Sequence, residues 1–116
     1  MEKKNEILEL SLEFAVDIID FSELLEEHKK YVIAHQLLKS GTSVGANVRE
    51  SQNCESSLDF VHKLKIAAKE AEETEYWLLL CQRAKNYPFD PTLMTKLISI
   101  KKLLSSIISK MKTKLS

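Results

Sequence analysis

Three histidines, two cysteines and a run of glutamates are the side chains of this sequence best suited to chemistry. A hydrolytic or electron-transfer metal site needs ligands at helical or loop spacing, such as a His pair four apart or two CxxC pairs. His28, His35 and His62 form no such pair, and Cys54 and Cys81 belong to no CxxC. Cys54 and His62 both fall near one end of a predicted third helix. A Cys–His nucleophile would also need oxyanion donors, and none is recognisable. Cys81 falls on an apolar seam and reads as a core residue. Glu70, Glu72, Glu73 and Glu75 have the charge for a carboxylate metal site. They fit a solvated helix face better, with pairs such as Lys69–Glu73 one turn apart, or partners such as Lys39 or Arg49 on another helix or subunit. The expectation is no catalytic residue, no metal, no cofactor and no enzyme activity.

The segment LLKSGTSVGANVRESQN, residues 37–53, holds both glycines of the chain, Gly41 and Gly45. A phosphate-gripping loop would follow a strand and place its Lys-Ser/Thr after the last glycine. Here Lys39-Ser40 precedes the first glycine, and no strand pattern comes before it. Leu37, Gly41, Val44 and Val48 instead continue one helical face without a phase shift, which a loop has no reason to keep. Each glycine costs about 1 kcal/mol relative to alanine inside a helix. The segment therefore reads as a continuous helix thinned for close packing, within a bundle or across subunits, on a strip formed by Ser40, Gly41, Val44 and Gly45, the alternative being a helix that breaks near Gly41.

Tyr76 and Trp77 have the chemistry of a base-stacking platform. Trp77 directly precedes a seam leucine, so a packed core or interface aromatic is the better reading. The net charge is +0, but unevenly spread. Acids dominate residues 1–30, and residues 91–116 contain lysines and no acid. Neighbouring first and last helices with complementary rims explain that pattern, as does a lysine face meeting an anionic partner. The candidate nucleic-acid contacts are Arg49, Lys63, Lys65, Lys101, Lys102, Lys110, Lys112 and Lys114. Such contacts would be salt-dependent and weakly sequence-selective. Lys110, Lys112 and Lys114 read equally well as a frayed, solubilising tail.

The elements that position these groups are helices. Apolar residues make up 44% of the 116 residues and charged residues 29%, which suits one soluble domain over residues 1–116. Ile7, Phe14, Ile18, Phe21 and Leu25 recur at helical spacing over residues 5–27. Ile33, Leu37, Val44 and Val48 mark a second helix from Tyr31 to between Ser51 and Cys54. Ser56 with Asp59 resembles a capping box for a third. Its seam runs through Phe60, Leu64, Ala67, Ala71, Thr74, Leu78 and Cys81, and it is expected to end near Asn86. Asp90-Pro91 opens a fourth helix with Leu93, Leu97, Ile100, Leu104, Ile107 and Met111 inward. The fold class expected is all-α, an antiparallel up-down four-helix bundle. No apolar run approaches the ~18 to 20 residues of a membrane span. The acidic N-terminal stretch argues against a signal peptide, so a cytoplasmic location with reduced cysteines is expected.

Two segments carry a resemblance. Gln36-Leu37-Leu38-Lys39-Ser40-Gly41-Thr42-Ser43-Val44-Gly45-Ala46-Asn47, and Lys69-Glu70-Ala71 through Glu75-Tyr76-Trp77-Leu78, resemble the bacterial 23S rRNA intervening-sequence proteins. That family is also labelled the S23 ribosomal protein family, and the likeness spans about residues 7 to 110. Lys39 stands where an arginine is common, keeping the charge but losing the bidentate fork. The resemblance implies a four-helix bundle assembling into a ring, typically a homopentamer, without enzyme activity. The related accessory proteins of diversity-generating retroelements bind nucleic acid and a reverse transcriptase. The partners so implied are copies of the chain, RNA or DNA, or a protein. The alternative is a protein–protein adaptor with no nucleic-acid role.

Overall fold

The computed structural model describes residues 5–115. Four helices follow one another: α1 (Glu6–Glu27), α2 (Tyr31–Ser51), α3 (Ser57–Arg83) and α4 (Pro91–Leu115). Three of the four start where the sequence offers a cap, and α2 starts after Lys30 without a side-chain cap. Asn5 accepts the Leu8 N–H at 3.2 Å, Ser56 accepts that of Asp59 at 3.1 Å, and Asp90 accepts that of Thr92 at 2.9 Å. Each cap satisfies a backbone donor that the first turn leaves without a partner.

The exits differ more from expectation. α3 stops at Arg83, three residues before Asn86, because Ala84 turns extended and Asn86 takes a left-handed φ of 65°. Asparagine tolerates that region better than most residues. α1 closes in a Schellman arrangement: the Lys30 N–H donates to Leu25 O and that of Lys29 to Glu26 O, both at 2.8 Å. Lys29 sits at the left-handed position, φ 63°, where glycine is the usual residue. Both glycines are instead inside α2, which runs unbroken.

The helices pack cyclically, α1 on α2, α2 on α3, α3 on α4 and α4 on α1, and the diagonal pairs do not meet. Short connections make every neighbour antiparallel. The core is the set of inward seams: Phe14 and Ile18 of α1, Leu37 and Val44 of α2, Leu64 and Leu78 of α3, and Leu97 and Ile100 of α4 are fully buried. Two seam expectations shift by a residue, with Val61 buried where Phe60 is half-buried and Ala34 buried where Ile33 is half-buried. Ile107 and Met111, expected inward, are half-buried. α2 is packed most closely on its two neighbours, and the α1–α4 seam is the loosest.

Candidate functional site

The small residues of α2 point in two directions. A Cβ on Gly41 would lie 2.9 Å from Ile18 Cγ1 and Cγ2, and one on Gly45 would lie 3.1 Å from the backbone carbonyl oxygen of Ser11. These two glycines bring α1 close. Ser40, one residue before Gly41, faces α3, where its Oγ lies 2.9 Å from Thr74 Oγ1. Val44 is fully buried between them. The strip thus packs the chain's own bundle. Trp77 is half-buried on α3, edge-on to Tyr76 at 5.3 Å, and its indole N–H donates to the Glu73 carboxylate at 3.1 Å. Glu73 is engaged by Trp77 rather than by Lys69.

The antiparallel order sorts the basic residues by end. The α2–α3 connection, the start of α1 and the last turns of α4 share one end, where the Asn5 side-chain amide donates to Gln52 Oε1 at 2.8 Å. Arg49, Lys63, Lys65, Lys110, Lys112 and Lys114 all come from that end. Lys101 and Lys102 sit midway along α4.

These lysines are not equivalent. Lys63 Nζ pairs with Glu50 at 3.1 Å. Lys101 Nζ is held between two α3 carboxylates, at 2.9 Å from Glu72 and in contact with Glu75. Those hydrogen bonds, to Glu75 above all, hold its pKa above the ordinary 10.5. A phosphate would have to displace carboxylates from either lysine. Arg49, Lys65, Lys102, Lys110, Lys112 and Lys114 have no ion-pair partner among the described residues, and all six are exposed. Lys101 and Lys112 also rim an open groove between α3 and α4, floored by Ala68 and Ile108.

The groups considered for catalysis are spread apart in role. His28 Nδ1 lies 2.9 Å from Leu24 O and helps finish α1. Cys81 is buried on the seam, and burial pushes its thiol up to about 11. Among the described residues no three His, Cys, Asp or Glu side chains converge to hold a metal ion. No described helix is long and apolar enough to cross a membrane.

Leu12, Val16 and Ile19, at spacings of four and three, form a second apolar stripe on the outward side of α1, 52%, 51% and 42% exposed. The same periodicity that gave the seam contains this stripe, displaced around the helix.

A four-helix bundle of neutral net charge, with an exposed apolar stripe on α1, is the class of protein that the fold defines. The chain belongs to the family of 23S rRNA-intervening sequence proteins, whose family model matches residues 3–106. It is also similar, at 45% identity and a TM-score of 0.83, to a crystal structure from Bacteroides thetaiotaomicron, a protein of unknown function from the S23 ribosomal protein family. That likeness covers 88% of this chain and 97% of the other. No curated protein matches the chain.

Proposed function

We propose that this protein is a non-enzymatic scaffold that assembles with copies of itself into a ring, a homopentamer by family resemblance, and associates with RNA or a ribonucleoprotein through basic residues. The observation that carries the nucleic-acid part is the convergence of Arg49, Lys65, Lys112 and Lys114 at one end of the bundle, none of them paired with an acid among the described residues. Four helices contribute to that end, so copies arranged around an axis would repeat the cluster as a basic rim. Glu55 and Asp59 share the end, which limits its field and favours weak, backbone-directed binding. Within this reading Lys63 and Lys101 serve the bundle, tied to Glu50 and to Glu72 and Glu75.

Binding of a labelled single-stranded RNA, followed by anisotropy at about 50 and 200 mM salt, tests this part, because neutralised phosphates make affinity fall steeply with salt. The expected result is binding at the lower salt that is lost at the higher and weakened by Arg49→Gln with Lys65→Gln. No binding at the lower salt refutes it. The net charge of +0 and the apolar stripe on α1 favour a second reading, a protein adaptor. Sizing with light scattering and the 260/280 nm ratio separates the two. A multi-chain peak with a clean protein spectrum, joined to absent RNA binding, leaves the adaptor.

A further inference from the structure

Every charged residue of α1 is acidic and every charged residue of α4 is a lysine. The two helices are neighbours, so much of this charge could cancel inside the chain, and around Lys96, which faces Asp17 and also feels Glu13, part of it does. Among the described residues one ion pair joins them, Lys96 Nζ to Asp17 Oδ2 at 2.6 Å. The reason is direction. α4 runs antiparallel to α1, its last lysines pass the start of α1, and Lys101 turns to α3. Lys102 and Lys110 are left on the outward side of α4, and Glu13 and Asp20 on the outward side of α1.

The two outward surfaces also match in shape. On α1, Leu12, Val16 and Ile19 stand out as a ridge beside those acids, flanked by a shallow groove of about 190 Å³ along α2. On α4, the 41%-exposed Ile98 is followed by Ser105, Ser106 and Ser109, short side chains that let a ridge approach the helix closely.

We propose that the outward face of α4 in one copy docks on the outward face of α1 in a second copy, with Leu12, Val16 and Ile19 buried against Ile98 and the serines, and Glu13 and Asp20 facing Lys102 and Lys110. The inference rests on the self-assembly proposed above and assigns its two surfaces. The occupant is a second copy because the complement of the acidic ridge lies in the same sequence, whose net charge is +0. The two faces differ, so the contact is heterologous, and such contacts close into rings or propagate as filaments. Lys102 and Lys110 then serve assembly, leaving Arg49, Lys65, Lys112 and Lys114 for a phosphate partner.

The test is charge exchange, read as solution mass by light scattering. Four chains are compared: wild type, Glu13→Lys with Asp20→Lys, Lys102→Glu with Lys110→Glu, and the chain carrying all four changes. All four positions are exposed, and circular dichroism checks that each variant keeps its helices; Val16→Ser is a milder variant of the same face. Wild type is expected well above the 13.3 kDa of one chain. Each pair of reversals should weaken association about tenfold or more, because like charges then meet, and Val16→Ser should weaken it by removing apolar surface from the contact. The four-fold variant should regain the wild-type mass. A multi-chain wild type unaffected by either pair overturns these faces while leaving self-assembly intact. Failure of the four-fold variant to recover overturns the pairing. A wild type at single-chain mass overturns both the faces and the assembly they rest on.

Discussion

Gly41 of α2 stands against Ile18 of α1 so closely that a Cβ would lie 2.9 Å from two of the isoleucine's carbons. Ile18 is fully buried and branched at Cβ, so it has no room to turn aside. Gly41→Ala gains about 1 kcal/mol of helix propensity. Overpacking of a tight core typically costs about 1 to 3 kcal/mol, and here it should win. The urea midpoint of Gly41→Ala is expected to fall; an unchanged or raised midpoint would show that the helices separate freely. Gly45→Leu, directed at the Ser11 backbone, should be worse and disrupt folding or assembly.

Thr74 and Ser40 share a hydrogen bond in the core, both fully buried. The Thr74 hydroxyl also lies 2.7 Å from Glu70 O, which can only accept, so its one proton goes there and Ser40 supplies the proton between the hydroxyls. Thr74→Val keeps the shape but strands the Ser40 hydroxyl, at an expected cost of about 1 to 3 kcal/mol. Adding Ser40→Ala should recover part of that loss, and equal stabilities for single and double variants would refute the coupling. Ser22 is the contrast: its hydroxyl is buried with no partner among the described residues, so Ser22→Ala should be neutral or stabilising.

Lys29 holds the left-handed turn after α1 at φ 63°. A side chain there costs about 1 to 2 kcal/mol that glycine avoids, partly offset by glycine's freedom in the unfolded chain. Lys29→Gly should raise the melting temperature. A lowered one would mean that the lysine makes contacts outweighing its backbone strain.

Burial of Cys81 and the carboxylate partners of Lys96 and Lys101 place the pH-sensitive stability on the alkaline side. The folded state holds the Cys81 proton to about 11, while the unfolded thiol ionises near 9.0, so stability falls between those values. Lys96 and Lys101 have folded pKa values above 10.5, raised first by Asp17 and by Glu75 respectively. Their contribution is complete below 10.5 and is lost as pH rises through the folded values. Denaturation titrations from neutral pH upward should show stability declining from about 9 in wild type. The decline should start later in Cys81→Ala. An identical profile in that variant would remove the thiol from the account. At neutral pH Cys54 should be alkylated before Cys81.

Much of the bundle was legible because helix periodicity is local. The seams at Phe14–Ile18–Phe21 and Leu64–Ala67–Ala71 are written at fixed spacing, and the caps at Ser56 and Asp90 need only their own first turns. The left-handed Lys29 was not legible, since no residue type announces it. The outward stripe of Leu12, Val16 and Ile19 was legible in spacing but hidden by the stronger seam beside it.

By itself, then, the sequence determined where helices begin, which face of each turns inward, and that α2 is thin at Gly41 and Gly45. Those properties follow from backbone geometry over one or two turns. Only the tertiary structure decided that Gly41 meets Ile18, that Lys101 is taken by Glu72 and Glu75 while Lys102 is left outward, and that Arg49 and Lys114 share an end. These depend on how far one helix slides along another and which neighbour it faces. That register is set by all four helices packing together, and no single helix contains it.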